Sequence, residues 1–257
     1  MQIVAFGLCI FVGLSLGLLG GGGSVLMVPV LVYIAKLPAS EAIAMSLLIV
    51  GLASASGTVK YWKRGFVNWR LAFLFALPGM VASFLGARLT RFVSSDLLLF
   101  TFGVLTMGIS IILYNKSSKG TGSSEQVVCR PAFTLSIGVG AVIGFLTGLL
   151  GVGGGFLIVP AIALLMKCSL YTAIGTSLVI IAVNSIAGLS GHLSTMKLNI
   201  PLSVMFLSAT IGGAIIGARI SDKLNTTVLQ KVFSTLIFLV GVFMTTSIFL
   251  KRIGVNQ

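Results

Sequence analysis

The sequence predicts an all-α polytopic membrane protein built from two pseudo-symmetric repeats, each with about four to five helical segments and a glycine-broken helix. The 257 residues are 57% hydrophobic and only 8% charged, whereas a soluble domain carries about 25% charged residues. Charge-free runs long enough for a membrane helix, which needs about 20 apolar residues, recur along the chain. The second half also repeats the first. Nothing alternates over ~10-residue strands as an outer-membrane barrel would.

The first predicted segment, 3–35, is a charge-free run that contains GLLGGGGSVLMVP at 17–29. Each glycine costs about 1 kcal/mol in a helix interior relative to alanine, so four in succession predict a break. As one helix the run would be about 52 Å long, against a hydrocarbon core of ~30 Å. A hairpin or a strongly broken element therefore fits better than a single crossing.

Three further apolar spans follow in the first half, predicted at 41–60, 70–88 and 96–114. The polar stretch NKSSKGTGSSEQVV then reads as an exposed linker. The second half begins with the broken run 132–166, and its further spans are predicted at 171–191, 199–219 and 228–250. The predicted boundaries are therefore 1–114 for the first transmembrane repeat, 115–130 for the linker and 131–257 for the second transmembrane repeat.

The two halves match without gaps when the sequence is shifted by 131 residues. GLLGGGGSVLMVP then aligns with GLLGVGGGFLIVP at 148–160, with nine of 13 positions identical. Internal duplication is typical of secondary transporters. The repeats are inverted if the broken run folds back as a hairpin and parallel if it crosses once, and the length of the run favours inversion.

The adjacent glycines have three possible roles, namely close helix packing, a surface loop, or a helix break inside the membrane. We favour the third, because uncharged residues flank the glycines on both sides and irregular backbone at that depth is tolerated where it is buried or lines a cavity. Short helices would then begin near 24 and 155. Their N-termini would present N–H groups and the positive end of the helix dipole to an anion. The candidate ligands are Gly22, Gly23, Ser24, Gly153, Gly154 and Gly155.

Other polar side chains within the predicted spans are neutral, and they include Ser46, Ser54, Ser56, Thr58, Thr147, Thr176, Ser177, Asn184 and Ser185. Of these we select Ser46, Thr176, Ser177 and Asn184 as further substrate-binding candidates. The alternative is that such side chains bond their own helix or a neighbouring helix. The four acidic residues fall at span ends or in the linker, at Glu41, Asp96, Glu125 and Asp222. A cation site or a carboxylate proton relay would place an acidic residue within a span. We therefore expect neither of these sites, and we expect no metal and no cofactor.

His192 is the only histidine and lies just past a predicted span end. It is a candidate for gating transport or for coupling it to a proton. Sodium is the other possible coupling ion. The alternative role for His192 is that of a polar anchor at the membrane surface. Arg88 and Arg219 match across the repeat. They would attract an anion at an entrance or simply snorkel at a helix end.

The net charge of +13 does not indicate nucleic-acid binding, because no soluble domain is predicted to carry it. The basic residues cluster between apolar runs, as at Lys60, Lys63, Arg64 and Arg70, which is typical of cytoplasmic loops. The expected partners are therefore the lipid bilayer and a small anionic substrate. The sequence predicts no oligomeric state.

Together these motifs resemble the TauE/SafE family of membrane permeases. The resemblance covers about 3–250, and it is carried by the doubled glycine motif, AIGTSL at 173–178, Asn184-Ser185 and His192. It implies an anion transporter of the bacterial cytoplasmic membrane, for sulfite, sulfonates or related sulfur-containing organic anions. The family motif falls on Gly20, Gly22, Gly23, Pro29, Gly151, Gly153, Gly154 and Pro160. The first copy has Ala44-Met45 where the second has Gly175-Thr176, so a symmetric pair of contacts is not implied.

Two other functions are compatible with parts of this pattern. A passive anion channel would use the same helix termini, although paired halves favour alternating access. An intramembrane enzyme would need a nucleophile and a base, for which Ser24 and His192 are the available pair. Gly155 stands at the position of Ser24 in the second copy, so this pair is weakly indicated and no catalytic residue is expected.

Overall fold

The computed structural model describes residues 2–117, 133–151, 153–166, 168–193, 199–221, 235 and 238–246, and within these ranges all regular structure is helical. In chain order the α-helices are α1 (Gln2–Leu19), α2 (Ser24–Pro29), α3 (Ala39–Lys63), α4 (Trp69–Leu89), α5 (Ser95–Ser117), α6 (Phe133–Leu150), α7 (Gly155–Leu165), α8 (Leu170–Leu193) and α9 (Ile200–Ile220). A π-helical turn, Val30–Ile34, continues α2, and a 3-10 turn, Thr90–Phe92, continues α4.

Among the described residues, five helices are long and apolar enough to cross a membrane, so the prediction of a polytopic helical membrane protein is confirmed. The predicted spans from 41–60 to 199–219 end within three residues of the helices observed. Helix α5 extends to Ser117, so its last turn includes the first three residues that we assigned to the linker. The backbone hydrogen bonding of the helix thus continues past Tyr114, the last residue of the apolar run. The rest of the linker lies outside the described residues, as does most of 228–250, of which 235 and 238–246 are helical.

Helices α6, α7, α8 and α9 each begin 131 residues after α1, α2, α3 and α4 respectively. Near the end of α3, Tyr61 Cβ lies 2.9 Å from where a Cβ on Gly175, near the start of α8, would stand. In the middle of α3, a Cβ on Gly51 would lie 3.0 Å from Ser185 Cβ. The corresponding helices α3 and α8 therefore run antiparallel, which is the direction that inverted repeats require.

The chain reverses direction at both glycine breaks. A Cβ on Gly23 would lie 3.1 Å from Ser15 Cβ, and a Cβ on Gly154 would lie 3.0 Å from Ile143 Cγ2. In a continuous helix, residues eight to eleven positions apart would be separated by about 12–16 Å. Each broken run is therefore a helical hairpin, α1 with α2 and α6 with α7, as its length led us to expect.

The two halves pack against each other through helices whose contact faces carry glycine and other small residues. Helix α1 packs on α9, and α6 packs on α4. Gly17 faces the backbone of Ala214, and Gly148 faces the backbone of Ser83, so closely that a Cβ on either glycine would clash. Apolar side chains gain little from association in lipid, and close backbone approach through small residues is what holds such pairs together.

The two ends of the bundle differ in charge. At one end, which we call the basic end, α3 and α9 finish and α8 begins, and Lys60 Nζ donates to the Ala218 carbonyl there. The turn from α3 to α4 at this end carries Trp62 and Trp69, which are 58% and 44% exposed. Their rings lie edge to face with centroids 6.2 Å apart. Exposed tryptophans beside lysines and arginines are typical of the membrane–water interface.

Candidate functional site

The two glycine breaks meet at the middle of the bundle. A Cβ on Gly21 would lie 2.5 Å from Gly155 Cα and 2.5 Å from Ile181 Cδ1, and one on Gly153 would lie 2.6 Å from Val50 Cγ1. Val50 and Ile181 stand at the midpoints of α3 and α8. Both breaks are buried wherever the structure describes them, and so are the first residues of the short helices, 24–28 and 155–156. The N-termini of α2 and α7 therefore converge on one buried region, halfway along the longest helices.

The two breaks have different backbone geometry. The residue before α7, Gly154, is left-handed with φ 65°, whereas the residue before α2, Gly23, is right-handed with φ −64°. In the first break Gly20 and Gly21 take a positive φ, at 68° and 124°, and in the second Gly151 and Gly153 do so as well, at 71° and 68°. Side chains are disfavoured at such angles, so the two turns require glycine at the same first step, Gly20 and Gly151, and at different later steps.

The Ser24 hydroxyl is used within its own break. It donates to the Gly21 carbonyl at 2.6 Å, and the Ser24 N–H donates to the same oxygen at 3.1 Å. The Ser24 hydroxyl therefore bonds the break and not the His192 ring, so the Ser24–His192 pair considered for an enzyme is not assembled.

Ser46 and Ser177 tie each half to the other half's break. The Ser177 hydroxyl donates to the Gly20 carbonyl at 2.6 Å and to Ile174 of its own helix at 2.8 Å. The Ser46 hydroxyl donates in the same way to the carbonyl of Gly151. Both serines therefore lie at the breaks, where they satisfy carbonyl groups that have no partner within their own helix, and their predicted contact with a substrate stays a prediction.

Thr176 and Asn184 lie away from the meeting point of the breaks. The Thr176 hydroxyl accepts a hydrogen bond of 3.0 Å from the Asn68 N–H, which joins the start of α8 to the start of α4. The Asn184 amide lies against α4, with Nδ2 2.7 Å from where a Cβ on Gly79 would stand. Its side chain has no hydrogen-bond partner among the described residues.

His192 is buried in the last turn of α8, not past the end of a span as we expected. Its Nε2–H donates to the Gly148 carbonyl at 3.1 Å. Tyr61, the residue 131 positions earlier, donates from its hydroxyl to the Gly17 carbonyl at 3.0 Å. Both carbonyls belong to the last turn of a helix that ends at a glycine break, where the backbone offers no donor. Sequence reasoning missed Tyr61, although the 131-residue shift pairs it with His192.

Sequence reasoning also left Ser54 and Ser185 unselected. Both are fully buried, and within the described part of the chain neither hydroxyl has a hydrogen-bond partner. Ser185 Oγ lies 3.5 Å from where a Cβ on Gly153 would stand, so it faces the second break. The signal that marks them is that both copies carry serine at this position, since Ser54 shifted by 131 is Ser185.

Charged side chains stay at the helix ends. Glu41 and Asp96 lie in the first turns of α3 and α5, while Glu125 and Asp222 fall outside the described residues. Arg88 and Arg219 lie exposed in the last turns of α4 and α9, where a cation interacts favourably with the helix dipole. Among the described residues, the buried side chains that offer N–H or O–H groups are those of His192, Tyr61 and a set of serines, threonines and one asparagine. The region around the breaks thus offers neutral donors and helix N-termini.

Comparison with known proteins gives a consistent result. A family model described as "Sulfite exporter TauE/SafE" matches residues 5–244. A probable membrane transporter protein of Xylella fastidiosa is 29% identical over 245 residues, covering 94% of each chain. The probable membrane transporter protein YunE of Bacillus subtilis is 27% identical over 263 residues, covering 93% of this chain and 96% of its own. A probable membrane transporter protein of Methanocaldococcus jannaschii is 27% identical over 256 residues, covering 92% and 94%. No solved structure matches the chain.

Proposed function

We propose, from the premise that this chain belongs to the sulfite exporter TauE/SafE family of multi-pass membrane transporters, that it is a secondary transporter of small oxyanions. The substrates we propose are sulfite, sulfonates and related sulfur-containing organic anions, carried across the bacterial cytoplasmic membrane. The anion would bind where the glycine breaks meet, near the bilayer midplane.

The observation that carries this proposal is the contact between the break that precedes α2 and the N-terminus of α7, where Gly21 lies against Gly155. The first N–H groups of a helix have no acceptor within it, and the aligned peptide dipoles place about half a positive charge there. Helix α7, with 11 residues, is long enough for these dipoles to add. Such a region favours an anion, and the neutral side chains around it supply further donors.

Alternating access follows from how the halves are arranged. The breaks are buried, so a substrate reaches them only when helices move apart at one end. The bonds that hold α1 and α6 lie on opposite sides of the breaks, Tyr61 to Gly17 at the basic end and His192 to Gly148 at the other. Opening would break one of these bonds while the other holds, which makes His192 a gate in our proposal.

Transport by purified protein in proteoliposomes tests the function. We expect uptake of sulfite or a sulfonate such as methanesulfonate, and accumulation above the external concentration when a proton or sodium gradient is imposed. Protein-free liposomes and a carboxylate of similar size serve as controls. Flux that only follows the substrate's own gradient would indicate a passive channel, and no movement of any oxyanion would contradict the proposal.

A further inference from the structure

We propose that Ser54 and Ser185 bind the transported anion with their hydroxyl groups, and that the site they form selects a singly charged oxyanion over a doubly charged one. This inference rests on the proposed function, because it names the side chains and the charge class for that same site. Neither serine was among the predicted ligands, and the two are related by the 131-residue shift.

The hydroxyls of Ser54 and Ser185 have no hydrogen-bond partner among the described residues, a state shared by the Asn184 amide beside Ser185 but not by other serines of the same helices. A serine inside a helix usually donates to a carbonyl three or four residues earlier. Ser56 on α3 does so to Ala53 at 2.7 Å, and Ser190 on α8 does so to Ala187 at 2.7 Å. Ser54 and Ser185 are 0% exposed and have no partner among the described residues. Buried polar groups are normally bonded, so an unpaired pair indicates a ligand.

The position of Ser185 directs its hydroxyl to the second break. Its Oγ lies 3.5 Å from where a Cβ on Gly153 would stand, and α7 begins two residues later at Gly155. Val50 Cγ1 and Ile181 Cγ2 lie 2.6 Å and 3.2 Å from where that Cβ would stand, so Gly153 packs into the α3–α8 contact that carries Ser185. The serine hydroxyl and the first-turn N–H groups of α7 are thus placed to bind one anion together.

Ser54 belongs to the same contact between α3 and α8. A Cβ on Gly51, one turn before Ser54, would lie 3.0 Å from Ser185 Cβ. Residues three apart share a helix face, so Ser54 is on the face of α3 that packs against Ser185. The two halves therefore each contribute one unpaired hydroxyl within a turn of the crossing point.

The charge of the site favours a monoanion. Among the described residues no lysine or arginine is buried, and the donors at the crossing are hydroxyls and backbone N–H groups. The end of a helix compensates about half an elementary charge. An isolated charge is very costly to bury without compensation, so a second negative charge on the ligand would remain uncompensated. A sulfonate, with one charge and three acceptor oxygens, fits these donors.

The test compares the Ser54→Ala/Ser185→Ala double variant with wild type in proteoliposomes, using methanesulfonate as the monoanion and sulfate as the dianion. The control is Ser56→Ala/Ser190→Ala, which removes two hydroxyls from the same helices. We expect wild type and control to transport methanesulfonate in preference to sulfate. In the double variant KM for methanesulfonate should rise about 100-fold, because two hydrogen bonds to a charged partner are lost and each loss weakens binding by about 10-fold.

A second readout separates binding from a structural role. Removing an unpaired buried hydroxyl should leave the midpoint of thermal unfolding unchanged or raise it. A lower midpoint together with lower transport would overturn the assignment of a binding role, as would an unchanged KM in the double variant. Equal transport of sulfate and methanesulfonate by wild type would overturn the charge selection. If wild type transports neither methanesulfonate, sulfate nor sulfite, the proposed function is wrong. If wild type transports them and only the serine substitutions have no effect on KM, the proposed function holds and only the role of the serines is wrong.

Discussion

Two pairs of buried serines at corresponding positions have opposite bonding states. Ser46 and Ser177 donate to the carbonyls of Gly151 and Gly20 in the other half. Ser54 and Ser185 lie farther along the same helices without a partner. The first pair therefore fixes the position of each break, and the second pair is left available to a ligand. Position in the sequence could not separate them, since both are serines in charge-free spans.

His192 provides the first prediction. The equivalent donor in the other half is the Tyr61 hydroxyl, so we expect the hydrogen bond donated by His192, and not a change in its protonation, to matter. His192→Gln keeps a side-chain N–H and should transport at a rate close to wild type. His192→Leu leaves the Gly148 carbonyl without this donor and should lose about 1–3 kcal/mol of stability.

Flux in proteoliposomes and denaturant unfolding in detergent measure these two effects. Tyr61→Phe serves as the matched control, because it removes the corresponding donor at the other end of the bundle. If His192→Gln lost transport driven by a proton gradient while remaining stable, His192 would be a proton carrier and the donor role would be wrong.

Glycines act in this protein in two ways that the sequence does not distinguish. Some provide backbone angles at the breaks, and others allow helices to touch along their length. Gly23 lies in a break but belongs to the second group, since its φ is −64° and it lies against the backbone of Val12 and Leu16 in α1. A bulky residue there would therefore disturb the hairpin itself as well as any ligand.

The contact of α1 with α9 yields a prediction with a built-in control. Gly213→Leu would drive a side chain into the backbone of Ile10 and Leu14, whereas adjacent Gly212 has nothing within 4 Å. Overpacking typically costs about 1–3 kcal/mol, and more where backbone blocks the space. We expect Gly213→Leu to lower the unfolding midpoint strongly and Gly212→Leu to leave it nearly unchanged. Equal effects would show that helix propensity and not packing decides.

Helix positions were predictable because charge-free runs and their flanking charges define spans in lipid. The breaks were predictable because four adjacent glycines have no place in a helix interior. The partners of the serines were not, since Ser46 and Gly151 are 105 residues apart and only tertiary packing brings them together. Thr176 shows the same limit, because its contact with Asn68 depends on how the start of α8 meets the α3–α4 turn.

The whole molecule has a polarity that bears on its orientation in the membrane. Among the described residues, the basic end carries Lys60, Lys63, Arg64, Arg70 and Arg219. The opposite end carries Lys36, Arg88 and Arg91, partly balanced by Glu41 and Asp96. Because lysine and arginine are enriched in cytoplasmic loops, we infer that the basic end faces the cytoplasm. His192 would then lie toward the outer side.

Cysteine labelling in intact cells measures this orientation. In a background with Cys9, Cys129 and Cys168 replaced by serine, we expect Phe92→Cys to react with a membrane-impermeant maleimide. Phe92 is 73% exposed at the outer end. Arg64→Cys should react only after the cells are permeabilised. The reverse pattern would invert the assignment, and with it the side on which each gate opens.

The exchange of partners between the halves has a consequence for biogenesis. Helix α1 finds its packing partner only when α9, which begins at Ile200, has been made. At typical synthesis rates of 5–20 residues per second, this interval is roughly ten to forty seconds. During that time the glycine face of α1 has no partner of its own and is available to lipid, to a chaperone or to another chain. Correct assembly therefore requires that α1 remain without its α9 contact until the second half has been synthesised. A chain cut in the linker should fold fully only when both fragments are produced together.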